Sequence, residues 1–323
     1  MLKLSWMVCL FGSLVVGVTT QAAAQNDTGV VKLVVPYAPG GFPDTIGRLF
    51  AGQLSADVRR TIVVENRPGG AGTIAADLVA KSQPDGNTLL VADAQQWAIA
   101  PAMLKRVGYD VQRDFAPVTL LGETHNFLVV NPVLGIADFP SLVAAIKADP
   151  QKFNYGTPGV GSIHHLTMEV MAKRLGLKLT QIPYRGGSEV APALLSGNVQ
   201  LAIQALPSVR AFAQEGKLKI LAVISAKRSK FLPDVPTLEE LGVRDMDFPG
   251  AIGILAPAGT PDDRLARWVA AMNAAATAPT IIEKLATYAI EPTIITPDQL
   301  KAWIAADNLK FREAVSDAGL TPQ

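Results

Sequence analysis

Glycine-rich turns that join a strand to a helix are the parts of this sequence best suited to binding a ligand, and the first spans residues 36–44. Glycine lets the main chain approach a ligand closely, and the free amides and positive dipole end of the following helix attract an anion. Asp44 is placed to cap that helix. A tight turn with no ligand explains the same pattern equally well. The loop consists of Pro36, Tyr37, Ala38, Pro39, Gly40, Gly41, Phe42, Pro43 and Asp44, and Tyr37 or Phe42 is placed to cover a bound molecule.

A second glycine loop at residues 155–162 repeats the arrangement in what we predict to be a different lobe, and this favours binding over coincidence. Ser162 is a predicted helix N-cap. If both loops lie at the carboxyl edges of their sheets, they face each other across a crevice, and a carboxylate fits between them. Neither loop has the phosphate-binding Gly-Lys-Ser/Thr or the dinucleotide pattern Gly-x-Gly-x-x-Gly.

Two further loops give weaker signals. Arg185 precedes a predicted helix and is able to pair with an anion through two parallel hydrogen bonds, although a loop arginine is more often a surface residue. Gln95 or Gln96 follows a strand that ends at Ala92, and either is placed to read a polar ligand group, with Trp97 available to stack on it. The alternative, Trp97 in the core beside a helix cap, is at least as well supported.

Catalysis is the competing class of function, and its best candidate is a hydrolase built on Ser162 with His164 or His165. The pattern Gly-x-Ser-x-Gly is absent around this serine, and adjacent helical residues are poorly placed to form a triad. The chain has three histidines and no His-Glu-x-x-His motif, and its single cysteine, Cys9, lies in the N-terminal apolar run. We therefore predict no enzyme activity, no metal and no cofactor.

The elements that position these loops alternate between short β-branched runs and amphipathic helical patterns. This alternation predicts an α/β protein with mostly parallel, doubly wound sheets. Two apolar segments, 118–130 and 250–256, do not lead straight into helices and are predicted to be crossover strands. The predicted organisation is one lobe from 26–124 plus 250–323, with C-terminal helices returning to it, and a second lobe from 125–249.

The N-terminus predicts export. Lys3 precedes an apolar run and a small-residue exit at Ala22–Ala24, which is typical of a secretory signal over residues 1–24. The apolar run is shorter than the roughly 18 residues that a membrane span needs. Removing Lys3 with the signal leaves equal numbers of basic and acidic residues, so no broad charged field points to nucleic acid. We expect a periplasmic monomer.

Motifs along the whole mature chain resemble the Bug family, the periplasmic binding components of tripartite tricarboxylate transporters. The resemblance rests on the stretches 35–41 with Asp44, 64–69, 84–86, 114–118, 154–159, 225–228 and 255–261, in family order and spacing. It implies a two-lobed periplasmic binding protein (type II) fold that closes on a carboxylate, with one large and one small membrane subunit as partners. Carried over by position, the ligand-facing set is the 37–42 loop with Asp44, followed by Thr157, Gly161, Ser162 and His165.

The sequence departs from the family pattern at three points. Gln200 and Gln204 stand where many members have aspartates, so a cleft carboxylate able to meet a ligand amine is replaced by an amide, and an amino-acid ligand is disfavoured. Phe42 stands where small hydroxyl residues are common, and Trp97 stands in the next cleft loop. These two residues predict an aromatic or otherwise apolar carboxylate. Delivery to a sensor kinase, in place of a transporter, is the alternative that the sequence leaves open.

Overall fold

A computed structural model describes residues 29–40 and 42–320 of the chain. Its strands are β1 Val31–Val35, β2 Ile62–Asn66, β3 Thr88–Ala92, β4 Phe115–Thr124, β5 Asn126–Val130, β6 Asn154–Thr157, β7 Thr180–Pro183, β8 Leu201–Ala205, β9 Lys219–Val223, β10 Gly250–Pro257 and β11 Ile290–Glu291. Its helices are α1 Phe42–Asp57, α2 Thr73–Ala80, α3 Ala100–Met103, α4 Phe139–Ala148, α5 Ile163–Leu175, α6 Gly187–Leu195, α7 Leu206–Gln214, α8 Asp262–Thr277, α9 Pro279–Thr287 and α10 Pro297–Ala318. The predicted signal segment lies outside the described residues.

Two separate sheets define two lobes. The strand order is β11-β4-β10-β3-β1-β2 in the first sheet and β7-β6-β8-β5-β9 in the second. Helices cover both faces, and the predicted two-lobed α/β fold is confirmed. One detail differs, because each sheet is mixed: β10 and β4 pair antiparallel in the first, and β5 pairs antiparallel with β8 and β9 in the second.

The chain passes between the lobes twice, and the two passages lie side by side. The first is a single residue, His125, between β4 and β5. The second enters β10, where Gly250 pairs with Thr124. The Asn126 side-chain amide donates to the carbonyl oxygen of Phe248 across the two passages, at 3.4 Å. Such a narrow pair of connections is typical of lobes that move about a hinge.

The C-terminal helix α10 packs against both lobes, whereas the sequence predicted helices that return to the first lobe. It begins at a capping box, in which Thr296 accepts from the amide of Gln299, and ends at Gly319 in the left-handed conformation. The ring of Phe311 lies 5.5 Å from that of Phe248, beside the second passage. We propose the lobe boundaries 26–124 plus 250–323 and 125–249, with α10 as a bridge.

No helix among residues 29–40 and 42–320 has the length and apolar character needed to cross a bilayer. The core of the first lobe includes Leu33, Phe50 and Trp268, and the indole of Trp268 donates to the carbonyl oxygen of Gly86 at 2.8 Å. On one face of the second sheet, Phe127 of β5 packs in one buried cluster with Val190 of α6. These cores hold the carboxyl edges of the strands, from which the predicted binding loops extend.

Candidate functional site

The loop after β1 is held from beneath by Asp44. This residue is 2% exposed, and its carboxylate accepts from the Gly40 amide at 2.9 Å, from Arg48 Nε at 3.0 Å and from Asn66 Nδ2 at 2.8 Å. Burial acts to raise the pKa of Asp44, but the hydrogen bonds from Arg48, Gly40 and Asn66 outweigh it and lower that pKa. Asp44 is therefore an ionised support of the loop, with both carboxylate oxygens occupied.

The upper side of this loop is open. Ala38, Pro39 and Gly40 are exposed, and a side chain at Gly40 would meet no atom within 4 Å. Gly40 has a φ of 80°, which explains the glycine at this point of the turn. Phe42 packs partly buried against the core of the first lobe. Gly41, also predicted to face the ligand, lies outside the described residues.

Tyr37 belongs to a hydrogen-bonded group with the residues that follow β3. Its hydroxyl donates to Asp93 Oδ2 at 2.6 Å and accepts from Gln96 Nε2 at 3.3 Å. The second Asp93 oxygen accepts from the Gln95 amide at 2.8 Å. Burial raises the pKa of Asp93 to about 6, against the opposing effect of the bonds from Tyr37 and Gln95. The first lobe therefore places a carboxyl group at the edge of its sheet.

Gln95, and not Gln96, lies on the pocket surface between the lobes. Gln96 is 1% exposed, and its Oε1 accepts from the Asp93 amide at 3.0 Å. Residues Gln95–Ile99 form a π-helical turn, which rotates each side chain relative to an ordinary helix. Trp97 is fully buried, and its Nε1 donates to Asp307 of α10 at 2.8 Å. The core interpretation of Trp97 is correct, and the prediction of an aromatic ligand loses that support.

The loop after β6 is built from neutral groups. Ser162 caps α5 by accepting from the His165 amide at 3.2 Å, as predicted, and its hydroxyl donates to the carbonyl oxygen of Gly159 at 2.9 Å. Thr157 is fully buried, and its Oγ1 accepts from Gln181 Nε2 at 2.7 Å. Gly161 has a φ of 76°. No acidic residue lies in the first turn of α5.

His165 is a neutral member of this loop. Its Nδ1 accepts from the Gly161 amide at 3.1 Å, so the proton of the neutral ring is on Nε2. The ring stacks on Tyr155 with centroids 6.5 Å apart. Burial lowers the pKa of His165, although the charge of Glu169 acts in the opposite direction. Burial also lowers the pKa of His164 to about 4.

The two lobes meet at a pocket beside Gly161. The predicted residue Gly161 is part of its wall, and a side chain there would lie 3.8 Å from Met103 Cε of the opposite lobe. Sequence reasoning missed the apolar part of this wall. The glycine-rich stretch at residues 69–72, which follows β2 and contains the lining residue Ala71, was a signal from which this part of the wall could have been predicted. The lining residues are Ala71, Gln95, Ala100, Met103 and Leu104 of the first lobe and Val160 and Gly161 of the second.

The remaining two predicted residues lie elsewhere on the second lobe. Arg185 is exposed, and its main-chain amide donates to Glu189 Oε2 at 3.1 Å. Gln204 is 2% exposed, at the end of β8. The structure therefore brings Gly161 to the pocket and uses Asp44, Gln96 and Thr157 as buried supports.

The geometry does not support the hydrolase alternative. The Ser162 hydroxyl is bonded to a carbonyl oxygen and to a main-chain amide, and no bond joins it to a histidine ring nitrogen in residues 29–40 and 42–320. Across the same residues, no cluster of three or more His, Cys, Asp or Glu side chains is arranged to hold a metal ion.

Comparison with known proteins identifies the class and the family of this chain. The fold matches solved two-lobed binding proteins: an R. palustris protein in a structure with adipate (30% identity, TM-score 0.85, 91% of this chain and 98% of that one) and MatC of Rhodopseudomonas palustris with bound malate (27%, 0.81, 88% and 98%). Among curated relatives, protein BugT of Bordetella pertussis is 32% identical over 90% of this chain and 89% of its own length. Residues 46–320 match the family model described as the tripartite tricarboxylate transporter family receptor. The chain belongs to this family, as its motifs indicated.

Proposed function

We propose that this protein captures a small organic carboxylate between its lobes and delivers it to the membrane subunits of a tripartite tricarboxylate-type transporter. The observation that carries the proposal is the pocket bounded by Gly161 on one lobe and by Gln95 and Met103 on the other. Val160 and Gly161 belong to the glycine loop of the second lobe, whereas the first-lobe wall comes from residues 71 and 95–104 and not from the described residues of the first glycine loop. Two structures to which this chain is similar contain adipate and malate, and both ligands are small carboxylates.

The second lobe supplies the hydrogen-bond donors. The start of α5 has amides, a positive dipole end and no acidic side chain in its first turn. The neutral ring of His165, whose Nδ1 accepts from the Gly161 amide, carries an N–H at Nε2 that is a further donor near this helix start. A carboxylate placed there gains charge-assisted hydrogen bonds without a buried cation.

The first lobe closes over the ligand. Residues 38–40 of its loop are exposed, and a side chain at Gly40 would meet no atom within 4 Å, so the main chain of this loop is accessible to a ligand when the lobes close. The paired passages at His125 and Gly250 provide the hinge. The closed form is stabilised only to the extent that the ligand contacts both lobes.

We propose that the protein acts in the periplasm. On this proposal residues 1–24 are a cleaved signal, and the mature chain acts as a monomer without a cofactor. Transport, and not chemistry on the ligand, is the role that the bonded Ser162 and the family membership support.

The test is isothermal titration of the mature protein with C4 to C6 mono- and dicarboxylates, followed by small-angle scattering with the tightest ligand. We expect saturable binding and a smaller radius of gyration in the complex. Failure of every carboxylate to bind contradicts the capture role. Binding without compaction would contradict the closure of the lobes but not the capture of a carboxylate.

The matched variants are Gly161→Ala and Gly176→Ala. Both glycines have positive φ, 76° and 62°, so both substitutions strain the main chain by about 1 kcal/mol. Gly176 ends α5 far from its N-terminal loop, with no atom within 4 Å of an added side chain. We expect similar losses of stability and a loss of carboxylate affinity only for Gly161→Ala.

A further inference from the structure

A buried carboxylate on α10 joins two tryptophan side chains from different parts of the chain. Asp307 is 7% exposed, and its Oδ2 accepts from Trp97 Nε1 at 2.8 Å and from Trp303 Nε1 at 3.1 Å. The ammonium nitrogen of Lys310 lies 3.7 Å from the other carboxylate oxygen. A buried charge is costly unless it is paired and hydrogen-bonded, so this arrangement fixes Trp97 to one face of α10.

Trp97 is the central residue of the π-helical turn that forms part of the pocket wall. Gln95, at the start of the turn, lies in the wall, and the wall continues with Ala100 directly after the turn. A second side chain of α10 holds the same turn, because Asn308 Nδ2 donates to the carbonyl oxygen of Trp97 at 2.7 Å. A π-helical turn is rare and holds one residue more than an α-helical turn, so a change in its anchors changes the direction of its side chains.

The next turn of α10 holds the segment that enters the second passage between the lobes. Lys310 Nζ donates to the carbonyl oxygen of Asp247 at 2.9 Å and lies 5.8 Å from the centroid of the Phe248 ring. Phe311 packs on the same ring, with centroids 5.5 Å apart. The carbonyl oxygen of Phe248 in turn accepts from the side-chain amide of Asn126 in the first passage. One stretch of α10, residues 303–311, therefore contacts both the π-helical turn and the hinge.

The far end of α10 reaches the second lobe. The carboxylate of Asp317 lies 3.6 Å from the guanidinium of Arg174, near the end of α5, which is the helix that follows the second glycine loop. Asp247 also contacts the second lobe, since its Oδ1 accepts from the Ala226 amide at 3.0 Å. Because α10 is bonded to both lobes, a movement of the lobes about the hinge has to change the contacts of this helix.

We propose that Asp307 is a positioning residue that couples ligand binding at the pocket wall to movement about the hinge. Through Trp97 it fixes the π-helical turn, and through the adjoining turn of α10 that position is tied to the segment before β10. A ligand that contacts the wall therefore biases the closure of the lobes. The element with two arrangements is the π-helical turn, which relaxes toward α-helical geometry when its anchors are lost. This inference rests on the proposed function and adds to it the contacts by which pocket occupancy reaches the hinge.

The indole N–H resonances of the wild-type protein report this coupling. The chain has four tryptophans, and Trp6 lies in the predicted signal, which leaves Trp97, Trp268 and Trp303 in the mature protein. Nitrogen-15-labelled mature protein is titrated with the tightest-binding C4 to C6 carboxylate, and single Phe substitutions assign the signals. We expect the Trp97 and Trp303 signals to shift with one midpoint, while the signal of Trp268, which donates to Gly86 within the first lobe, stays in place. Any other pattern would overturn the coupling.

Substitutions at Asp307 separate the coupling from the stability of α10. Asp307→Ala leaves both indoles without their acceptor, and we expect carboxylate affinity to fall by about fivefold to fiftyfold. At saturating carboxylate this variant should also compact less than wild type in small-angle scattering. Asp307→Asn keeps an acceptor oxygen and should bind within about threefold of wild type. The control is Thr296→Ala, which removes the N-cap about two turns before Trp303 and should leave affinity unchanged.

Each outcome separates the coupling from the proposed function. Unchanged affinity or unchanged compaction in Asp307→Ala overturns the coupling, while carboxylate capture stands. An equal loss of affinity in Thr296→Ala also overturns it, because the loss would then follow from the stability of the helix. If Asp307→Ala does not fold, the indole titration of the wild-type protein decides. No binding of any C4 to C6 carboxylate to wild type overturns the proposed function and the coupling together.

Discussion

The two glycine loops have similar sequences but different electrostatic character, one acidic and one neutral. In the first lobe, the loop is supported by the ionised Asp44, and a second carboxyl group, Asp93, lies at the sheet edge beneath Tyr37. In the second lobe, Ser162 and His165 build the loop from neutral groups, and α5 has no acid in its first turn. Under the proposed function, the same strand-turn-helix pattern provides a closing surface in one lobe and anion-binding donors in the other. Glycine spacing therefore indicates where a loop bends, while the charge of the side chains beneath the loop differs between the two lobes.

The largest expected effect comes from removing the support of the first loop. Asp44→Ala leaves the donors of Gly40, Asn66 and Arg48 without their acceptor, and we expect a loss of about 2–4 kcal/mol in the free energy of unfolding. Urea denaturation measures it. Asp57→Ala, at the exposed end of the same helix, is the control and should cost less than about 0.5 kcal/mol. Equal effects of the two substitutions would contradict the supporting role of Asp44.

Asp93→Asn tests the charge of the first lobe. Burial raises the pKa of Asp93 to about 6, so ionisation destabilises the folded state, and the stability of wild type declines relative to the variant as pH rises from 3.8 to 6. We expect the variant to be more stable by about 3 kcal/mol at pH 7.5 and equal to wild type well below pH 3.8. Thermal unfolding across pH measures the difference. A pH-independent difference would show that Asp93 does not titrate as described.

Asp93→Asn also tests whether the negative charge of the first lobe weakens carboxylate binding. Removing a negative charge from the cleft edge is expected to raise carboxylate affinity at pH 7.5 by a few-fold. Titration with the same carboxylate at pH 7.5 provides the measurement. A fall in affinity would mean that the Asp93 carboxylate organises the binding loop through Tyr37 more than it repels the ligand.

Ser162→Ala tests the second loop. Loss of an N-cap hydroxyl costs about 1 kcal/mol in stability, and loss of its bond to Gly159 loosens the loop. Thr296→Ala removes the N-cap of α10, away from the pocket, and is expected to have the same stability cost. Only Ser162→Ala should lower carboxylate affinity, by roughly tenfold. Equal carboxylate affinities of the two variants would show that this loop does not contribute to binding.

The smallest effect is expected at Arg185. Its side chain is exposed, and an exposed charge near an anion contributes about 0.2–1 kcal/mol and is screened by salt. Arg185→Gln should weaken carboxylate binding by less than about fivefold at low salt, with the difference lost at high salt. Titration at two salt concentrations decides this. A larger, salt-independent loss would place the guanidinium directly on the ligand.

Much of the fold followed from local signals in the sequence. The β-branched runs, the Ser162 cap and the two passages between lobes were predicted because each depends on residues close together in the chain. Long-range packing was not. The side of the molecule that α10 covers depends on Phe311 packing against Phe248 and on Asp307 accepting from Trp97, and no periodicity within α10 identifies those partners.

The site was predicted in outline and not in detail. The two glycine loops were predicted. The π-helical turn changes the angle between successive residues, so that Gln95 and not Gln96 faces the pocket. Met103 was missed because an apolar residue on a short helix has the same pattern in a core and in a pocket wall. The bond between His165 and the Gly161 amide depends on a ring orientation that sequence alone does not fix.

The most direct test of the central claim is a crystal structure of the mature protein with a bound C4 to C6 dicarboxylate. We expect one carboxylate at the start of α5, within hydrogen-bond distance of the 157–162 loop or of His165 Nε2, and the first-lobe glycine loop closed over it. A carboxylate bound only to the first lobe, near Asp93, or outside the cleft would show that the second lobe does not supply the anion-binding donors.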